Sequence, residues 1–278
     1  MLHALLTSPF TALLLAAVLL AGLRLAADRL TPWRASSDVP WGLRDLAIGA
    51  CLFFGSLIAL QSFALSLHHP DAGEKLLPVP TASAIQVGGQ ALALGFVFAC
   101  ARRGGARSVR QAFRRLGFGR GGHLRAIALG LLAFFAAVPL VQGLFGLWSE
   151  CWTAVLGEGL PRQETLERVR SIEDPLASFF VHAVAGVFAP IAEEIAWRGF
   201  VQPVCVRALG PLRGIALTAL FFVVLGHGPE VYLPLFGFSL LLGWLYERTG
   251  RLTAPIALHA ALNLSTLFLP VLFESAGS

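Results

Sequence analysis

Ala192-Glu193-Glu194-Ile195-Ala196-Trp197-Arg198-Gly199-Phe200 is the stretch on which the reading of this chain turns. It sets two carboxylates and a guanidinium in an apolar segment that begins near Leu176. Ionised groups in such surroundings are costly unless paired or hydrated, and by default they mark a function. On a helix, Glu194 and Arg198 fall four residues apart and pair directly. Glu193 is turned about 100° from Glu194 and has no charged neighbour within one turn. One carboxylate is held in place, and the other is left for work.

Outward from this stretch the apolar residues come in runs. The chain has 278 residues, 56% hydrophobic and 13% charged, against about 25% charged in a soluble domain. Pro9–Ala27, Leu46–Leu67, Ala82–Ala101, Ala126–Leu147, Leu176–Ala196, Ile215–Leu225, Val231–Tyr246 and Leu252–Phe273 are each apolar or nearly so. Most meet the length of about 20 residues that a spanning helix needs, the sixth and seventh being shorter. The expected fold is all-α: a polytopic membrane bundle of about eight transmembrane helices, with a polar catalytic cavity inside the bilayer. No linker or internal repeat divides the chain, so residues 1–278 read as one membrane domain. Within it, 1–147 supplies the N-terminal helices and 176–273 the catalytic core.

The leader Met1–Thr7 carries no Lys or Arg, so the first segment reads as a membrane anchor and not as a cleaved signal. Cys51, Cys100, Cys151 and Cys205 form no CxxC pair and read as small core residues. The net charge of +5 has a topological explanation. Arg102, Arg103, Arg107, Arg110, Arg114, Arg115, Arg120 and Arg125 crowd the connection after the third segment. By the positive-inside rule this loop is cytoplasmic. The alternate connections then hold Arg29, Arg34 and Arg44, Arg207 and Arg213, and Arg248 and Arg251, while opposite loops hold only Lys75, Arg162, Arg168 and Arg170. Both termini are expected outside the cytoplasm, in an integral protein of the cell (inner) membrane. The arginines are topogenic charge, and nucleic acid is not an expected partner.

Elsewhere polar signals are sparse. Gln86 and Gln90 lie four apart beside Gly88 and Gly89 in the third segment, a pattern suited to close helix approach and interhelical hydrogen bonding. His68-His69-Pro70 reads as interfacial loop, Pro139 as a helix kink, and 160–170 as a short amphipathic surface helix. His182 precedes Glu193 by eleven residues, about 16 Å along a helix, too far for direct partnership.

Two further polar sites fall in the last three segments: His227 in Gly226-His227-Gly228, and His259 with Asn263 four residues on. Glu193 precedes Arg207 by 14 residues and His227 follows Arg213 by 14, so both lie about 21 Å from the basic boundary. Asn263 comes to about 18 Å and His259 to about 12 Å by the same rise. Three separate helices thus bring polar groups to a similar depth. A carboxylate beside an imidazole orients and deprotonates water, and a second imidazole with an amide N–H stabilises an oxyanion. No Ser or Cys stands in these motifs as a nucleophile. Hydrolysis of a peptide or amide bond by activated water follows. The same Glu193, His227 and His259 could instead ligate one divalent metal such as Zn in a His₂Glu arrangement. Sequence leaves metal-bound and metal-free mechanisms both open.

Glu193-Glu194-xxx-Arg198, then His227, then Leu242-Gly243-Trp244-Leu245-Tyr246-Glu247-Arg248-Thr249-Gly250 leading to His259-xxx-Asn263, resembles the CPBP family. That family of CAAX prenyl proteases and bacteriocin-processing enzymes is also called the Abi family. The resemblance covers about Leu176–Leu267. It implies that Glu193 activates water with help from His227, that Glu194 pairs with Arg198, and that His259 and Asn263 stabilise the oxyanion. The second motif usually reads FxxxH, and here Val223 stands where Phe is expected, with Phe221 and Phe222 before it.

The function this implies is that of an intramembrane endopeptidase, of metallo or glutamate type. It would cut a membrane-associated peptide or protein that is lipidated, CAAX-like, or bears a leader or sorting tag. A non-catalytic immunity or binding protein of the same fold is the alternative. A proton-coupled transporter would also bury Glu and His, but the chain shows no inverted repeat.

Overall fold

The computed structural model describes residues 8–30, 39–67, 77–103, 108–119, 121–161, 169 and 171–268. The leader Met1–Thr7, the pair His68-His69 and nearly all of the amphipathic stretch 160–170 lie outside them. The described residues are helical, with no strand among them. Eight long helices run in chain order: α1 Pro9–Leu30, α2 Leu43–Leu67, α3 Val79–Arg102, α5 His123–Leu156, α6 Pro175–Leu209, α7 Pro211–Gly226, α8 Tyr232–Thr249 and α9 Thr253–Phe268. A short α4, Val109–Arg115, precedes α5.

The eight apolar runs therefore correspond to eight long helices. Five of these, α1, α2, α3, α5 and α6, are long and apolar enough to cross a membrane by length and composition, while α7 and α9 are shorter apolar helices. The ends of two helices differ from the apolar runs. The fourth run stops at Leu147 and the fifth at Ala196, because Ser149-Glu150 and Arg198 lower the hydropathy there. Helical hydrogen bonding continues through both, giving α5 34 residues and α6 35. Pro139 sits inside α5.

Large apolar side chains such as Phe10, Ile58, Phe135 and Leu212 point outward, the surface that a lipid environment demands. Inside are two apolar clusters. One joins α1, α5, α8 and α9 through Leu23, Leu129, Phe238, Leu242, Leu245 and Leu258. The other gathers Trp41, Val97, Leu116, Phe200, Val204 and Leu252. Close approaches rely on small residues. A Cβ at Gly130 would collide with the Ala254 carbonyl, so α5 and α9 touch backbone to backbone.

The described parts of the basic connections meet at one end of the bundle. Arg207 Nη1 and Nη2 donate to the Val39 and Trp41 carbonyls at 2.8 Å each. Leu252 N donates to Gly117 O at 3.2 Å, and His123 Nδ1 lies 3.3 Å from Thr253 Oγ1. At the opposite end, Trp148 Nε1 donates to Pro229 O at 2.9 Å. Each of the four cysteines is free.

Candidate active site

The helix that carries the two glutamates is irregular. Val184–Phe188 and Ile195–Val201 are π-helical turns within α6, and such turns gather at functional sites. The first has a local cause. Pro190 has no N–H and cannot donate back along the helix, and Ala189 N–H donates to Val184 O instead. The Ala185 carbonyl is left without its helical donor. Gly186 lets α9 come close enough for Leu264 to occupy the space of a Cβ. Asn263 on α9 then donates from Nδ2 to Ala185 O at 2.9 Å. Asn263 thus satisfies a carbonyl that the proline orphans, with its second N–H left over.

One turn further on, Glu194 and Arg198 are fully buried and paired, Nη1 donating to Oε1 at 2.9 Å. The same Oε1 accepts from His259 Nδ1 at 2.8 Å. Arg198 Nη2 donates to Ser239 Oγ at 2.6 Å and Ser239 O at 3.2 Å on α8, and its Cζ lies 5.0 Å from the centroid of the Phe222 ring. A further turn down, Gln202 Nε2 donates to Gly243 O and Glu247 Oε1, each at 3.0 Å. Positions 194, 198 and 202 on α6 thus face 239, 243 and 247 on α8, each set spaced four residues apart. The glutamate–arginine pair was legible from its spacing. For Ser239 and Gln202 the matched spacing of the two helices is the one signal the sequence carries.

Glu193 points elsewhere. It lines an apolar cavity of about 310 Å³ between α2, α3, α6 and α7, walled by Leu46, Phe53, Phe54, Leu94, Trp197, Phe221 and Leu225 among others. Among the described residues, Glu193 is the one ionisable group lining it and Gln90 the one amide. Sequence led us to expect a polar cavity. The cavity that Glu193 lines is apolar apart from these groups, because α2 and α3 contribute hydrocarbon. Glu193 Oε2 also stands 3.8 Å from His259 Nε2, close enough for both to bond the same water.

His259 therefore joins the two glutamates, Nδ1 to Glu194 and Nε2 toward Glu193, and Phe238 lies edge-on at 5.5 Å. Its Nδ1 is the donor, since a carboxylate only accepts. His227 follows α7 with Nδ1 3.2 Å from Phe222 O. Phe222 packs against both imidazoles, its ring centroid 4.7 Å from that of His227 and 6.2 Å from that of His259. The structure thus joins Glu194, Arg198 and His259 by direct hydrogen bonds, sets Glu193 3.8 Å from His259 Nε2, packs His227 on Phe222 and engages Asn263 with Ala185. Among the described residues no group of three or more His, Cys, Asp or Glu side chains could hold a metal ion. Glu193, His227 and His259 are accordingly not gathered as a His₂Glu ligand set.

Residues 175–265 match the family described as "Rce1-like: Type II CAAX prenyl endopeptidase Rce1-like". The match supports the CPBP/CAAX protease family for this segment. No curated protein and no solved structure matches the chain.

Proposed function

We propose, with the CAAX-endopeptidase match over 175–265 as premise, that this chain is an integral membrane peptidase. In this reading it hydrolyses a peptide bond of a membrane-associated, CAAX-like substrate, with Glu193 as general base. One observation carries the reading. Glu193 lines the apolar cavity and also faces His259 Nε2, whose other ring nitrogen is held by the buried Glu194–Arg198 pair.

In the proposed reaction, water sits between Glu193 and His259, and Glu193 takes one of its protons as the oxygen attacks the peptide carbonyl carbon. The carbonyl π electrons move to oxygen. That oxyanion is met by the Asn263 N–H not given to Ala185, while His227, whose Nδ1–H goes to Phe222 O, has only an acceptor nitrogen left and helps Glu193 to orient the water. Collapse re-forms the carbonyl and breaks the C–N bond. The proton held by Glu193 goes to the leaving nitrogen, so one water yields one acid and one amine. Glu194 and Arg198 act through His259, fixing its tautomer and ring plane. The basic end of the bundle is the cytoplasmic end in this reading, by the positive-inside rule, and the protein resides in the cell membrane. Residues 176–273 form the catalytic core of a single membrane domain, and 1–147 frame its cavity.

The test is cleavage of a farnesylated CAAX peptide reporter by the purified protein in detergent. Glu193→Gln is expected to lower kcat at least ~10²-fold while leaving the thermal unfolding profile unchanged. Wild-type cleavage by this variant overturns the assignment of the base. Loss of activity accompanied by unfolding makes Glu193 a structural group.

A further inference from the structure

Gln90 on α3 presents a problem that the catalytic reading leaves unsolved. It is buried, 7% exposed, and its carboxamide makes no hydrogen bond with the described residues. Its polar atoms are not among the fully enclosed ones that lack a partner, so the amide reaches the open space of the cavity that Gln90 lines and is free to bond whatever enters it. Interhelical bonding, the expectation from sequence, does not supply the partner. The nearby α2 hydroxyl, Ser56, donates to its own helix at Phe53 O, 2.9 Å away. Gln90 instead lines the same cavity as Glu193, on a wall built by another helix. Gly89 brings that wall in, since a Cβ there would come within 2.6 Å of Leu57 Cδ2 on α2.

A carboxamide offers one carbonyl acceptor and one N–H₂ donor, the same pair that a peptide unit carries in reverse. The remaining lining, Phe53, Phe54, Leu94, Phe221 and Leu225, suits apolar side chains. We propose that Gln90 is a substrate-binding residue that hydrogen-bonds a main-chain amide of an apolar peptide segment in this cavity and so sets which bond lies against Glu193. This inference rests on the peptidase reading above. It places part of the substrate recognition on α3, outside the segment 175–265 that matches the protease family.

The experiment is steady-state kinetics on the farnesylated CAAX reporter with wild type, Gln90→Leu, Gln90→Asn and Glu193→Gln. It includes a reporter series in which each non-scissile backbone N–H is replaced in turn by an ester oxygen. Gln90→Leu is expected to raise KM about 3- to 12-fold with kcat within about twofold, as for loss of one neutral hydrogen bond made equally in ground and transition states. One ester position should raise KM similarly in wild type and add nothing in Gln90→Leu. A Gln90→Leu enzyme with the wild-type KM, or ester effects equal in both proteins, overturns the role of Gln90 while the peptidase reading stands. If Gln90→Leu does not fold, Gln90→Asn and the ester series on wild type decide, and a series in which no ester raises KM overturns it. A wild type that leaves the unmodified reporter intact, or a Glu193→Gln variant that cleaves it normally, brings down the peptidase reading and this inference with it.

Discussion

Among the described residues, α6 to α9 bury Glu194, Arg198, Gln202, Ser239, Glu247 and His259, whereas α1 to α5 bury only Ser83 and Gln90 as polar side chains. The contrast follows from the solvent each region meets. An apolar helix face gains little by leaving lipid for another apolar face, so α1 to α3 associate through shape and small residues. None of the most apolar window of α2 is buried. A site that must hold a carboxylate and an imidazole in fixed geometry needs directional bonds, and α6, α8 and α9 supply them in two layers. The first half therefore shapes a cavity, while the second fixes the groups that meet it.

The same substitution on two adjacent residues breaks or sharpens that contrast most strongly. Glu193→Gln should remove activity without affecting folding, because Glu193 faces the cavity. Glu194→Gln leaves the Arg198 guanidinium buried with no counter-charge, and breaking such a pair costs about 3–5 kcal/mol. Thermal or chemical unfolding in detergent should show the loss, together with reduced cleavage. Equal stability of the two variants would remove the distinction between held and working carboxylates.

Asn263→Leu should act next in size. It removes the donor to Ala185 O, a carbonyl that Pro190 already deprives of its helical partner, and costs about 1–3 kcal/mol of stability. The proposed oxyanion role adds a fall in kcat. A variant that loses stability and keeps kcat would make Asn263 purely a repair of the π-turn.

Much of this was legible in the sequence, for reasons that differ by residue. The apolar runs located eight long helices, because hydropathy reports the solvent. The spacing of Glu194 and Arg198 reported their contact, because one helix turn is a local property. The link from His259 to both glutamates was out of reach. It depends on how far α9 slides along α6, which Gly186 and Leu264 set through space. Ser239 was readable only through the matched four-residue spacing of α6 and α8, its partner Arg198 lying 41 residues away. The π-turn at Val184–Phe188 was readable in principle from Pro190. That Gln90 would face the cavity and not a neighbouring helix depended on how α3 packs against α2 and α6, which no spacing rule reveals.

The weakest link between the two halves makes the sharpest control. Arg248 on α8 pairs with Asp28 on α1, but the Asp28 side chain is 52% exposed. The Arg248 side chain is largely buried, but half-exposed Asp28 leaves the pair open to water and salt, which hold its contribution to about 1 kcal/mol. Asp28→Asn should therefore shift unfolding only slightly and leave kcat and KM of the reporter unchanged, with the small shift shrinking further at high salt. A stability loss as large as that of Glu194→Gln would mean that α1 is held to the rest by charge after all. The view that the first half is joined through apolar contact and small residues would then have to be given up.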